Sequence, residues 1–184
     1  MKTRRQIFFV NLILLFFPFY GAYAMDMTIT ASTFSANQSI PSLYTCEGKD
    51  ISPALSWQHV PDNAQSLVLI VDDPDAPDPK APERTWVHWV LYNIPTQSTG
   101  LPENVGVLNL PQGTLQGLND WNRTGYGGPC PPIGEHRYFF KLYALNTVLP
   151  DLHEPTKAQL LEAMQGKIIQ EVQMIGLYHK QGKM

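Results

Sequence analysis

The chain has 184 residues, 43% of them hydrophobic, with 13 Lys and Arg against 16 Asp and Glu and a formal net charge of −3. That length suits one domain with a core of its own. The acidic balance gives no electrostatic footprint for nucleic acid or an acidic membrane surface.

In chain order, the first segment is the most recognisable. Lys2, Arg4 and Arg5 precede an apolar run from Ile7 to Tyr20, which closes on Ala22-Tyr23-Ala24. A basic start, an apolar middle and small residues at the cleavage positions predict a secretory signal peptide over residues 1–24, cut after Ala24. A membrane anchor is the alternative, but the run falls short of the roughly 20 residues that a bilayer span requires. The expected product is residues 25–184, one domain, periplasmic or secreted and not integral to the membrane. It loses three basic residues and no acidic ones, leaving ten Lys and Arg against 16 Asp and Glu, a formal net charge of −6.

Beyond the leader, 16 prolines and 13 glycines break the chain into short segments, which favours strands joined by turns. Met27 to Thr33 and Ser66 to Asp72 read as strands. The second is a continuous apolar run, as in a strand covered on both faces. Trp86 to Tyr92 reads as a third, with Trp86, His88 and Val90 on one face and Val87, Trp89 and Leu91 on the other. Tyr138 to Leu145 and about Gln173 to His179 complete the set. Two long connections, Asp73 to Arg84 and Pro111 to Glu135, read as loops, and each leads into a strand that carries a histidine. Near the C-terminus, Thr156-Lys157-Ala158-Gln159 has the form of a capping box. Leu160, Leu161, Met164, Ile168 and Val172 follow at helical spacing, with Gly166 as a break or kink. The expected fold class is mainly β, two packed sheets with one or two C-terminal helices.

Three segments carry chemistry. Asp73-Pro74-Asp75-Ala76-Pro77 places carboxylates at the end of a buried strand on a backbone stiffened by proline. Turn chemistry alone also explains it. His88 stands between Trp86 and Trp89, either as a satisfied core residue or as a base in an aromatic-walled pocket. Gly127-Gly128-Pro129-Cys130-Pro131-Pro132 leads to His136 and Tyr138, and its glycines let backbone approach a ligand closely. Cys46 and Cys130 allow one disulfide in an oxidising compartment; two free thiols near the pocket are the alternative.

Taken together, these motifs resemble the phosphatidylethanolamine-binding protein family, also called the Raf kinase inhibitor protein family, and within it the bacterial YbhB/YbcL-like branch. The resemblance rests on Asp73-Pro74-Asp75-Ala76-Pro77, Trp86-Val87-His88-Trp89, and Gly127 to Pro132 with Gly134 and His136-Arg137-Tyr138. Tyr44 to Gly48, Ser52 to Trp57 and Gln116 to Asp120 support it. It implies a Greek-key β-sandwich with a C-terminal helix near a small anion pocket. By motif it implies a ligand-binding set of Asp73, Asp75, Trp86, His88, Gly128, Cys130, Pro132, His136 and Tyr138. Val87 and Cys130 depart from eukaryotic members, which often carry His and Gly there.

The ligands so implied are phosphate, phosphorylethanolamine and similar small anions. In this reading an aspartate fixes one imidazole tautomer, and the other ring N–H faces the ligand. Backbone N–H groups of the 127–130 loop add donors, and binding strengthens as pH falls through about 6.5. No cofactor or catalytic residue is expected, since no G-x-S-x-G or H-E-x-x-H motif occurs. Two rival readings remain: a metal-dependent phosphoesterase built on the two Asp and two His, and a protease or kinase-type inhibitor acting independently of the pocket. An unidentified protein partner and a monomeric or homodimeric state complete the expectations.

Overall fold

The computed structural model describes residues 25–182. The expected signal peptide and its cleavage after Ala24 lie outside the described residues. Among the described residues no helix is long and apolar enough to cross a membrane.

The chain is mostly strand. In order it forms β1 (Thr28–Ala31), β2 (Gln38–Ser39), β3 (Leu55–Gln58), β4 (Ser66–Ala76), β5 (Arg84–Ile94), β6 (Gly100–Leu101), β7 (Leu115–Gln116) and β8 (Glu135–Leu145). The helix α1 (Lys157–Ala163) and the strand β9 (Ile168–His179) follow. A three-stranded sheet has the order β1-β3-β6, and a six-stranded sheet the order β2-β9-β8-β4-β5-β7. Within the larger sheet β8, β4, β5 and β7 are antiparallel neighbours. Of these four, β8 is the last in sequence and returns beside β4, the first, which is the Greek-key order.

Alternation along β4 explains why it reads as a continuous apolar run. Leu67, Leu69 and Val71 enter the core shared with β1, β3 and β6, where Met27, Ile29, Leu55, Trp57 and Leu101 meet them. Val68 and Ile70 point the other way, into a second cluster with Val90, Tyr92, Leu160 and Met164. β4 is therefore covered on both faces, by a sheet on one and by α1 on the other. Next along the strand, the wholly buried Asp72 faces the helix side. It is ion-paired with Lys141 of β8 at 2.9 Å and with Lys157 at the start of α1. The helix is thereby pinned to the sheet. Its capping box is present, with the Thr156 side chain and the Gln159 side chain each bonded to the other's backbone N–H, a device worth about 1 kcal/mol.

Several expectations need correction. Asp73 and Asp75 belong to β4, which runs on to Ala76, and the connection to β5 is correspondingly short. Pairing with β5 at Asp73 and Ala76 holds this proline-rich segment extended. A single α-helix forms among the described residues, and Ile168 and Val172 lie in β9 rather than on it. Gly166, at φ +70°, ends the helical path, and β9 then pairs with β8 from Leu145 to Glu135. The expected alternation along β5 also fails. Asp72 pairs with Val87 and Val71 with Trp89, so His88 is an extra residue, a β-bulge. Val87 and Trp89 consequently face opposite clusters.

Candidate functional site

Two irregularities in the β4–β5 pairing build the site. The bulge leaves the His88 ring on the side of Trp86 and brings Trp89 round to that side as well. A second shift, between Asp73 and Ala76, accommodates Pro74 and Asp75. Between them, with β8 alongside, opens a cavity of about 480 Å³. β4 contributes Asp73 and Ala76, β5 contributes Arg84, Trp86 and His88, and β8 contributes His136 and Tyr138. Pro77, Glu83, Trp121, Cys130, Pro131 and Pro132 form the rim.

His88 is 3% exposed. Its Nδ1 lies 2.7 Å from the Gly127 carbonyl, and Gly127 N–H donates to the His88 carbonyl at 3.0 Å. A carbonyl only accepts, so Nδ1 carries the hydrogen, and the neutral ring presents a bare lone pair at Nε2. The rings of Trp121 and Tyr138 stand nearly perpendicular to it, each with its centroid 5.2 Å from the imidazole centroid. Burial in these surroundings lowers the histidine pKa from 6.5 to about 4, against a smaller raising effect of the Gly127 carbonyl. The ring is neutral at neutral pH.

His136 is fully buried and differently held. Its Nδ1 is 2.7 Å from Asp73 Oδ2 and its Nε2 is 3.0 Å from the Ile133 carbonyl. Both partners accept, so the pair holds one proton between Nδ1 and Oδ2 and another on Nε2, with no net charge. Asp73 Oδ1 accepts from Asp75 N–H at 2.8 Å. Burial raises the Asp73 pKa, and the hydrogen bond from His136 offsets part of that. Asp75 is the reverse case. Its Oδ2 accepts from the backbone N–H and Nε of Arg137, both at 2.9 Å, and its Oδ1 accepts from Nη2 at 2.7 Å. That bidentate bond is the main cause of its lowered pKa.

The glycine loop is fixed by close approach. A Cβ on Gly127 would lie 2.4 Å from the Trp121 ring, and one on Gly128 would lie 2.3 Å from the Tyr44 carbonyl oxygen. Gly128 N–H donates to Asp50 Oδ1 at 2.6 Å, Cys46 N–H to the Pro129 carbonyl at 3.1 Å, and Tyr126 O–H to the Tyr44 carbonyl at 2.9 Å. Cys46 and Cys130 are joined in a disulfide across the same contact. Of the two alternatives for these cysteines, the bonded one is found.

Seven of the nine residues of the expected ligand set line the cavity: Asp73, Trp86, His88, Cys130, Pro132, His136 and Tyr138. Asp75 and Gly128 do not. Both oxygens of Asp75 are occupied by Arg137, and Gly128 is packed against the Tyr44–Thr45 backbone. The N–H groups of Gly127 and Gly128 are spent within the protein, so the expected backbone donors from these two residues are absent. Neither histidine meets the expectation of a free N–H facing the cavity, since both nitrogens of His136 are occupied and the neutral His88 offers a lone pair.

Glu83, Arg84 and Trp121 went unnoticed in the sequence. Arg84 lies two residues before Trp86 on the same strand face, and its guanidinium stacks over that indole at 4.3 Å; alternation offered a signal for it. Trp121 is brought in by a turn in which Asn119 Oδ1 accepts from Trp121 N–H and Asn119 Nδ2 donates to the Gly125 carbonyl, both at 3.0 Å. Asp120 fastens that turn to β5 through Val87 N–H at 2.9 Å.

The family model described as "Phosphatidylethanolamine-binding protein" matches residues 30–179. The chain belongs to this family. A protein of Methanothermobacter thermautotrophicus, described only as UPF0098, is 52% identical over 155 residues, 84% of this chain and 99% of that protein. Among solved structures, a phosphatidylethanolamine-binding protein homologue from Chlamydia trachomatis is 44% identical with a TM-score of 0.77, covering 84% of this chain and 98% of that one. YbcL of E. coli, described as a member of the mammalian family, has the same TM-score at 30% identity, over 85% of this chain and 100% of its own. Each is matched along nearly its whole length, so the elements that build the cavity lie within the shared region.

Proposed function

We propose that this protein is a non-catalytic binding protein whose β4–β5–β8 cavity takes a small oxyanion, either phosphate or a phosphorylated head group such as phosphorylethanolamine. The observation that carries this reading is a set of unpartnered polar groups on one cavity. Trp86 Nε1 and Tyr138 Oη are buried without a hydrogen-bond partner, and His88 Nε2 has none within the protein. A buried donor left unpaired costs about 1–3 kcal/mol, and an oxyanion is the small ligand that accepts from such donors. Burial raises the Tyr138 pKa, with the Asp73 charge adding to the effect, so the phenol keeps its hydrogen. Arg84 supplies a cation at the rim.

The phosphoesterase reading finds no support here: among the described residues no group of three His, Cys, Asp or Glu stands close enough to hold a metal. The leader-like first 24 residues support export to the periplasm or beyond, and the disulfide fits an oxidising compartment. In that setting the loaded pocket would modulate a protein partner. Titration of the protein with phosphate and phosphorylethanolamine, followed by histidine NMR shifts, is the test. Saturable shifts at His88 and His136 without turnover are expected. Absence of shifts at both would remove the reading.

A further inference from the structure

We propose that the cavity selects oxyacids that still carry a proton, monoanionic phosphate monoesters in particular, over fully ionised oxyanions of the same size; this rests on the cavity being an oxyanion site at all. What each lining group has left to offer a ligand decides the selectivity. Asp73, Asp75 and His136 have both side-chain heteroatoms engaged within the protein. Pro77, Pro131 and Pro132 stand on the lining without N–H groups. The remaining donors include Tyr138 O–H, Trp86 N–H, the Cys130 backbone N–H and the Arg84 guanidinium. The remaining side-chain acceptors are the Glu83 carboxylate at the rim and, on the wall, His88 Nε2, whose lone pair is fixed by the Nδ1–H bond to Gly127.

A ligand oxygen bearing only lone pairs meets that lone pair with repulsion. A P–O–H group meets it with a hydrogen bond, the proton staying on the ligand and pointing at Nε2. The alternative is to move a proton onto His88, and the surroundings oppose it. The ring is 3% exposed and walled by Trp121 and Tyr138, and its depressed pKa expresses the same cost. Nor does the local charge favour a dianion. Asp73–His136 and Asp75–Arg137 are each neutral as pairs, and Glu83 opposes Arg84 at the rim. Asp72 with Lys141 and Lys157 leaves one positive charge in excess, but behind the sheet on the helix side, away from the cavity.

Methyl phosphate and methyl sulfate test this directly. At about pH 5, below the second ionisation of a phosphate monoester, the two are alike in shape and both singly charged, and they differ by one proton. Calorimetric titration of the protein is expected to show methyl phosphate binding and methyl sulfate at least about tenfold weaker. Raising the pH to about 8 removes the ligand proton and is expected to weaken methyl phosphate while leaving methyl sulfate unchanged. The ¹⁵N signal of His88 Nε2 is expected to stay that of an unprotonated nitrogen accepting a hydrogen bond. Equal affinity for the two esters, or an imidazolium signal in the complex, would overturn the proton requirement and leave the oxyanion site standing. No binding of either ester would overturn both.

Discussion

Replacing Gly128 by alanine should damage the molecule far more than one added methyl group ordinarily does. The new Cβ would sit 2.3 Å from the Tyr44 carbonyl oxygen, 2.6 Å from Asp50 Oδ1 and 2.9 Å from Thr45 Cα, where ordinary contact begins near 3.4 Å. Two of those neighbours are backbone, so relief means parting the 126–130 and 44–50 segments by about 1 Å. Parting them strains the Gly128–Asp50 and Cys46–Pro129 hydrogen bonds and works against the disulfide. Overpacking costs about 1–3 kcal/mol, and weakening a bond to a carboxylate adds to it. The expected loss is roughly 2–4 kcal/mol, or about 5–15 °C in melting temperature for a chain of this size. Urea denaturation of wild type and variant reads it. Gly127→Ala is the partner experiment, because its Cβ meets only the Trp121 side chain, at 2.4 Å. That half-exposed ring can swing aside, so stability should fall by less than about 1.5 kcal/mol while ligand affinity drops through the lost wall. A Gly128→Ala loss below about 1 kcal/mol would refute the claim that these two segments are held rigidly in contact.

Three further outcomes are expected. Replacing Cys46 and Cys130 together by serine should cost up to roughly 4–5 kcal/mol in the chain-entropy account of a loop this long. Ligand-induced histidine shifts should survive, because the surrounding hydrogen bonds still hold the loop; loss of the shifts would show that the disulfide shapes the cavity. Because the His88 pKa is lowered on folding from 6.5 to about 4, its contribution is fully present above pH 6.5 and lost as pH falls toward about 4. That loss is on the order of 3 kcal/mol, and denaturation midpoints should show less of it in His88→Gln. Asp75, with a lowered folded pKa, contributes stability above its ordinary value of 3.8 that is lost as pH falls through the folded one. Asp75→Asn should remove that part of the acid transition, as acid titration by circular dichroism would show.

The sequence carried the long strands and the capping box because both depend on local pattern. The apolar run of β4, the alternation of β8 and the Thr156–Gln159 pair each report their own surroundings. Ile168 and Val172 fit helical spacing equally well, and only the partner strand β8 decided for β9. The candidate set was legible as residue types near strand ends, yet the roles were not. Whether Asp73 or Asp75 faces the cavity depends on Arg137 claiming one of them, a pairing across 62 positions. That His88 keeps Nε2 open and His136 keeps neither nitrogen open depends on the Gly127 and Ile133 carbonyls and on Asp73, whose positions no spacing rule reports.

The extra residue at His88 also limits how this chain can change length. Deleting any single position between Asp73's partner Trp86 and Trp89 would restore regular alternation. Both halves of β5 would stay on their own faces, but the site would lose the residue that the bulge adds. Trp89 and Leu91 would remain in the inner core and Trp86 on the cavity, while the His88 ring would be lost or, with Val87 removed, turned toward the helix side. A deletion there thus spares the sheet and takes the histidine from the site. The segment around Gly106 and Gly113 has open space beside both glycines and no such pairing to protect. Length variation among functional variants should therefore gather in that segment, with the count from Arg84 to Trp89 held fixed.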